Sequence, residues 1–123
     1  MSKYPVAVSD TQIGEYPAGV KAGGGYFFDA VLEYRVWCHP EDDDDHFYAF
    51  STYEDALTFS ENTQHAEEPL VLIKQLEWID EPAKGQFKHL KGERIAEWLP
   101  EWLSRGSRKP GDIEDFIKEK LKK

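Results

Sequence analysis

Arg35 is the residue whose type and position most strongly suggest chemistry. It lies within FFDAVLEYRVWC, an aromatic and β-branched segment that predicts a strand. A guanidinium in mid-strand must either pair with a carboxylate, such as that of Glu33 or Glu77, or face a ligand. Aromatic and polar side chains could line a pocket around it, although a small domain also needs aromatic residues to fill its core. The candidate pocket comprises Arg35, Trp37, Ser51, Thr52, Trp78 and Glu97.

The segment from Cys38 to His46 contains thiol, imidazole and carboxylate groups, all of which can bind metal ions. Its spacing does not match a calcium loop, because the sixth position counted from Glu41 is His46 and the twelfth is Thr52. Pro40 and four consecutive aspartates predict a solvated turn instead, and we predict no metal site. Cys38 is a poor nucleophile candidate, since it lies on the apolar side of its strand and nearby aspartates would raise the pKa of its thiol.

Common nucleotide-binding and hydrolase motifs are missing from the sequence. It contains no Gly-x-x-x-x-Gly-Lys, Gly-x-Gly-x-x-Gly, His-Glu-x-x-His or Gly-x-Ser-x-Gly pattern. Three consecutive glycines occupy residues 23–25, after a predicted helix and before a predicted strand. Phosphate-binding loops have the opposite order, strand before helix, so we interpret these glycines as a helix C-cap and turn.

Length and composition predict one folded, acidic domain. The chain has 123 residues, of which 40% are hydrophobic, and this is enough for a single core. Its formal net charge of -9 argues against binding to nucleic acid or to an anionic membrane. No apolar run reaches the roughly 18 residues of a membrane span and no export leader is evident, so we expect a cytoplasmic protein. A single cysteine excludes an internal disulfide.

Charge is divided unevenly along the chain. Residues 1–83 contain 4 basic and 17 acidic side chains, whereas residues 84–123 contain 11 basic and 7 acidic ones. The two parts can simply attract each other across the surface of one domain. Alternatively, an anionic ligand would meet the basic part, where the candidate residues are Lys84, Lys88, Lys91, Arg94, Arg105, Arg108 and Lys109.

The order of hydrophobic patterns predicts an α+β fold: a single domain over residues 1–123, with a small, mostly antiparallel sheet and two or three helices. A hairpin is expected where the acidic turn joins two strands, and the apolar start of segment 70–79 favours the centre of the sheet. Exposed strand edges also lead us to expect self-association through a sheet edge. The predicted strands are residues 26–38, 47–51, 70–79, 86–90 and 93–98, with an interruption at 91–92.

Three segments have features of helices. A short helix fits residues 10–23, with Asp10 or Thr11 as N-cap, although a proline and a glycine within it weaken this prediction. Segment 53–60 follows a Ser-Thr cap and has acidic residues in its first turn. The last helix begins at Asp112 and has an apolar stripe. Between the strands and this helix, Pro100 prevents a continuous helix, while residues 80–85 and 104–111 are predicted as a turn and a basic loop.

The chain resembles a group of short bacterial proteins that are identified as GNAT-type acetyltransferases. The resemblance is carried by VLEYRVWCHPEDDDD, YAFSTYEDALTFS, EEPLVLIKQLEWIDEP and GERIAEW. It implies acetyl transfer from the cofactor acetyl-CoA to an amine within an α+β fold. The acetyl-CoA loop of that class, Arg or Gln-x-x-Gly-x-Gly or Ala, does not occur in this sequence. No catalytic residue is therefore assigned from the resemblance.

A second resemblance is to the ADP-ribosyltransferase type of fold, in which a strand arginine, a Ser-Thr pair and a late glutamate surround NAD. Arg35, Ser51 with Thr52, and Glu97 occur in this order. The Ser-Thr pair is explained equally well as a helix cap. Three functions therefore stay open from the sequence: an acyl-CoA-dependent transferase, a non-catalytic binding or interaction domain, and an NAD-dependent transferase.

Overall fold

One sheet organises the computed structural model, which describes residues 3–17, 20–21 and 27–121. Its strand order is β1-β5-β4-β2-β3; β1 runs parallel to β5, and the other neighbours are antiparallel. Two α-helices and one 3-10 helix complete a small single-domain α+β fold, as the sequence predicts. The elements are β1 (Val20–Lys21), β2 (Ala30–Cys38), β3 (His46–Phe50), α1 (Tyr53–Glu61), β4 (Leu70–Ala83), β5 (Gln86–Trp98), the 3-10 helix (Pro100–Arg105) and α2 (Asp112–Leu121).

The hydrophobic core lies on one face of this sheet. Alternate residues of β2, including Tyr34 and Val36, meet Val71 and Ile73 of β4 there, and Ala56 of α1 packs against them. The predicted apolar side of β2 is thus confirmed as a core face at Tyr34 and Val36. A register shift between Val31 and Glu33 brings Val31 into the same cluster. The opposite face of β2 is equally buried, because Glu33 and Arg35 have no exposed surface. A strand of mixed polarity is therefore enclosed on both sides.

The β4–β5 hairpin is longer and more continuous than the sequence predicts. Residues 80–85 do not all form a turn: β4 continues to Ala83, and the tight turn is left to Lys84 and Gly85. Pro82 is tolerated because the pairing register shifts between Asp80 and Ala83. The predicted interruption at residues 91–92 is also wrong, since β5 runs through Gly92 at a φ of 151°, a value that favours glycine.

The helix predicted over residues 10–23 is not formed in its described part. Residues 11–14 are turns, Gly14 has a positive φ of 86°, and residues 20–21 belong to β1. A glycine in the left-handed region and a proline at position 17 end any helical run within one turn. The three glycines at 23–25 lie outside the described residues.

The other helix predictions are confirmed. Thr52 caps α1, with its Oγ1 accepting a hydrogen bond from the Asp55 amide at 3.1 Å, and α2 begins at Asp112. Pro100 opens the 3-10 helix after β5 has ended. The α-helices contain 9 and 10 residues, and none of the described helices is long and apolar enough to cross a bilayer.

Candidate functional site

Arg35 lies at the centre of a buried polar network on the sheet face opposite the core. Its Nε donates a hydrogen bond to Glu33 Oε2 at 2.7 Å, and its Nη1 donates to Glu97 Oε2 at 3.4 Å. Its Nη2 donates to the backbone carbonyls of Tyr16 and Pro17 at 3.2 Å and 3.0 Å. Of the two carboxylates that the sequence suggests as partners, Glu33 binds Arg35, and Glu97 is a second partner. Each terminal nitrogen of the guanidinium has an acceptor within the chain.

Three more groups close the network around the two carboxylates. Trp37 Nε1 donates to Glu97 Oε2 at 2.6 Å, and the Gly14 amide donates to Glu33 Oε1 at 2.9 Å. The Phe47 ring lies 4.0 Å from the Arg35 guanidinium, in cation–π contact with it. We call Glu33, Arg35, Trp37 and Glu97 the Arg35 cluster.

The strand register explains why these residues meet. Glu33 of β2 and Glu97 of β5 are each paired with Leu72 of β4, so all three stand in one row across the sheet. Arg35 follows Glu33 by two residues and therefore shares its face, from which its long side chain reaches both carboxylates. The 12–17 segment then covers the row from outside, through its backbone carbonyls and amide.

The candidate pocket is only partly assembled. Arg35, Trp37 and Glu97 come together, but Thr52 is the cap of α1 and the Ser51 carbonyl accepts a bond from the Ala7 amide at 2.9 Å. Trp78 lies further along β4, where its ring stacks on the guanidinium of Arg94 at 4.8 Å. Within the described residues, the hydrogen bonds, ion pairs and ring contacts of the Arg35 cluster include none of Ser51, Thr52 and Trp78.

Two of the basic residues considered for an anionic ligand are held by other side chains of the domain. Arg108 bonds to Asp29 at 2.8 Å and to Glu77 at 2.9 Å, and the hydrogen bond to Asp29 raises the pKa of Arg108. Arg94 donates to Gln75 Oε1 at 2.8 Å, and burial lowers its pKa.

The other basic residues considered for an anionic ligand lie on different elements of the fold. Lys88 and Lys91 of β5 stand opposite acidic residues of β4. Lys84 is at the hairpin turn, Lys109 precedes α2, and the side chain of Arg105 is outside the described part of the structure. Attraction between the acidic and basic parts of the chain accounts for the contacts of Arg108.

The acidic segment after β2 is a turn, as the sequence predicts. Cys38 is buried at its start, and this burial, rather than the neighbouring aspartates, raises the pKa of the thiol. His39 has a carboxylate at each ring nitrogen: Nδ1 lies 3.0 Å from Asp45 Oδ1, and Nε2 contacts Glu67 Oε2. Hydrogen bonds to Glu67 and then Asp45 raise the pKa of His39. His39 thereby links the turn to the segment that follows α1.

His39→Gln is expected to remove a pH-dependent part of the stability. Because the folded pKa of His39 is raised, its contribution is fully present below the ordinary histidine pKa and is lost as pH rises through the folded value. Urea unfolding at about pH 5.5 and about pH 8.5 measures this. The difference in unfolding free energy between the wild type and the variant should be larger at the lower pH. An equal difference in unfolding free energy at both pH values would contradict a stabilising contribution from protonated His39.

β3 forms one edge of the sheet. Its only strand neighbour is β2, and in the described residues no backbone hydrogen bond outside that pairing involves His46 to Phe50. Tyr48 and Phe50 both contact the Phe59 ring of α1, with ring centroids 4.9 Å and 5.3 Å apart. Tyr48 is nevertheless 47% exposed. This edge therefore combines open backbone groups with an aromatic surface.

In comparisons with known proteins, no family model, no curated protein and no solved structure matches the chain. Gly14, Tyr16 and Pro17 bind the Arg35 cluster through backbone groups, and they are not among the candidate residues that the sequence suggests. No pattern of side-chain types could have indicated them. The only available signal was the mid-strand arginine, which required several acceptors.

Proposed function

We propose that this protein is a non-catalytic binding domain, in which the outer edge of β3 pairs with an extended segment of a partner protein. The open edge described above carries the proposal, since an unpaired strand edge can add a strand through main-chain hydrogen bonds. Side chains on alternate positions then provide specificity. Tyr48 offers such a contact, because it is an exposed aromatic residue in the middle of the edge.

The charge near this edge favours a basic partner. The turn that leads into β3 contains four consecutive aspartates, and the chain as a whole has a net charge of -9. The described aspartates of this turn are exposed. Two copies of such a chain repel each other, whereas a segment rich in lysine or arginine is attracted. The occupant we infer is thus a basic, extended segment of a second protein rather than a second copy.

The state of the Arg35 cluster supports a function without catalysis. Arg35 and Glu97 come within 3.4 Å of each other, but each is held in bonds to the chain itself. Binding NAD between them would require breaking these buried pairs. Acetyl transfer, which the resemblance implies, is the competing proposal. Of the basic candidates for the acetyl-CoA phosphates, Arg108 is already bound by two carboxylates.

Tyr48→Lys is expected to weaken binding of a basic strand-forming peptide about tenfold or more, because it removes the aromatic contact and places a like charge on the edge. The probe is a fluorescent peptide of alternating lysine and valine, and a glutamate–valine peptide is the charge control. Leu76→Lys is the matched variant, since Leu76 is also exposed, at 43%, but belongs to a central strand. Fluorescence anisotropy should show that Leu76→Lys binds the lysine–valine peptide with nearly the affinity of the wild type.

Other outcomes would count against the proposal. Equal binding of both peptides, or equal loss in both variants, would show that the β3 edge is not the site. A dimer of the wild type that Tyr48→Lys dissociates, measured by analytical ultracentrifugation, would assign the edge to a second copy. A concentration-dependent rise in Tm with acetyl-CoA or NAD would favour a transferase instead.

A further inference from the structure

Three side chains that can bind a metal ion converge where α2 meets the β4–β5 hairpin. They are Glu77 of β4, His89 of β5 and Glu114 of α2, and each offers a ligand atom within 4.8 Å of the other two. His89 Nε2 lies 2.7 Å from Glu77 Oε1, while His89 Nδ1 lies 3.6 Å from Glu114 Oε1. The second distance is too long for a hydrogen bond. It is close to the about 3.3 Å that separates two ligand atoms around a tetrahedral ion with bonds of about 2.0 Å, so Nδ1 is the imidazole nitrogen placed to bind an ion together with Glu114. Glu77 Oε1 lies at the other ring nitrogen and must turn away from Nε2 to join the same ion.

The fold holds these three residues on one surface. His89 pairs with Ile79 and Glu77 pairs with Lys91, so His89 and Glu77 are diagonal neighbours on the same side of the hairpin. α2 is fixed against this side by Phe116, whose ring lies 5.9 Å from that of Phe87 and 6.0 Å from that of Phe27. Phe87 is two residues before His89 on β5 and therefore shares its side. Glu114 lies in the first turn of α2, next to the buried Ile113, and from there its carboxylate comes to the imidazole.

The charges around the three residues are suited to a divalent cation. Arg108 binds Glu77 Oε2 and Asp29 Oδ1, so the immediate surroundings contain three carboxylates and one guanidinium. Lys91, the strand partner of Glu77, stands on the same side of the hairpin. With a neutral imidazole, which metal binding requires, the three carboxylates, the guanidinium and this ammonium have a formal charge of -1. Arg108 also holds Glu77 by one oxygen and leaves the other directed to His89. Such an outer partner orients a carboxylate ligand.

We propose that Glu77, His89 and Glu114 bind one divalent first-row transition-metal ion, of which Zn²⁺ is a representative. One imidazole nitrogen and two carboxylate oxygens suit such ions, whereas Ca²⁺ and Mg²⁺ prefer oxygen ligands alone. The side chain of Glu114 is 55% exposed, which gives the ion a path from solvent and leaves a position for water. The ion would join three elements, and its binding would stabilise α2 on the hairpin. This site is separate from the β3 edge and does not depend on the function proposed for it.

Zn²⁺ titration of the metal-free full-length chain tests the proposal. Isothermal titration calorimetry should show one ion per chain, and the Tm should rise with Zn²⁺ concentration. We expect His89→Gln and Glu114→Gln to weaken binding by about 100-fold or more, and Arg108→Lys by about tenfold, because Arg108 acts only through Glu77. X-ray absorption should show nitrogen and oxygen ligands at about 2.0 Å and no sulfur, which excludes Cys38.

His39→Gln is the matched control, since His39 also has a carboxylate at each ring nitrogen but lies at the acidic turn. It should keep the affinity of the wild type. Loss of binding in His39→Gln with retention in His89→Gln would overturn the proposal, as would absence of binding to the wild type. Glu114→Gln changes an exposed side chain, so it keeps the test decisive if His89→Gln fails to fold.

Discussion

Arg35→Met is expected to lower the free energy of unfolding by about 3–5 kcal/mol, the usual effect of removing one partner from a buried ionic network. Glu33 has no exposed surface and Glu97 is only 6% exposed. Without the guanidinium, their carboxylates would stay buried, and within the described residues their remaining hydrogen bonds come from Trp37 and the Gly14 amide. Urea unfolding followed by circular dichroism measures the change.

Two further variants make this prediction specific. Arg94→Met removes a guanidinium that bonds to Gln75 and stacks on Trp78, so no buried carboxylate is left behind and a loss of about 1 kcal/mol is expected. The triple variant Glu33→Gln, Arg35→Met, Glu97→Gln keeps the amide acceptors but removes all three charges. It should be more stable than Arg35→Met alone. A loss below about 1 kcal/mol in Arg35→Met would contradict the burial of the cluster.

Ile73→Ala is expected to cost about 2–5 kcal/mol, because it opens a cavity in the centre of the sheet. Ile73 has no exposed surface, and its strand neighbours are Val31 of β2 and Ala96 of β5. The rigid backbone on both sides limits how far the surroundings can collapse into the space. For a domain with a typical unfolding free energy of about 5–15 kcal/mol, this is a large fraction of the total.

Leu76→Ala is the control on the same strand. Leu76 is exposed, so its truncation should change stability by less than about 0.5 kcal/mol. Thermal and urea unfolding of the two variants should therefore differ clearly. Similar losses in both would show that Ile73 and Leu76 are buried to the same extent, contrary to the structure.

The elements with regular patterns could be predicted, whereas those that depend on backbone irregularities could not. The β2 strand, the Thr52 cap and the stripe of α2 each have a local cause, and each is confirmed. Pro82 and Gly92 indicated breaks in the hairpin, yet both lie within strands. The register shift near Pro82 and the positive φ of Gly92 arise from pairing with the opposite strand, which no local pattern reveals.

The contacts of the Arg35 cluster and of the proposed metal site also divide into those that local spacing predicts and those that depend on the fold. Glu33 could be named as a partner of Arg35 because two residues of spacing place both on one strand face. The sequence also suggests Glu97 as a pocket residue, but its pairing with Arg35 depends on β4 lying between β2 and β5. The convergence of Glu77, His89 and Glu114 depends on the hairpin register and on the docking of α2. The spacing of residues along the chain reveals neither the strand order nor the docking of α2.

The Arg35 cluster joins residues far apart in the sequence, and this determines when during synthesis it can form. The carbonyls of Tyr16 and Pro17 leave the ribosome before Arg35, but Glu97 follows Arg35 by 62 residues. Until that segment emerges, β5 cannot pair with β4, and Arg35 lacks its second carboxylate. The nascent sheet must therefore keep this face hydrated, which makes its folding dependent on long-range contacts and correspondingly late.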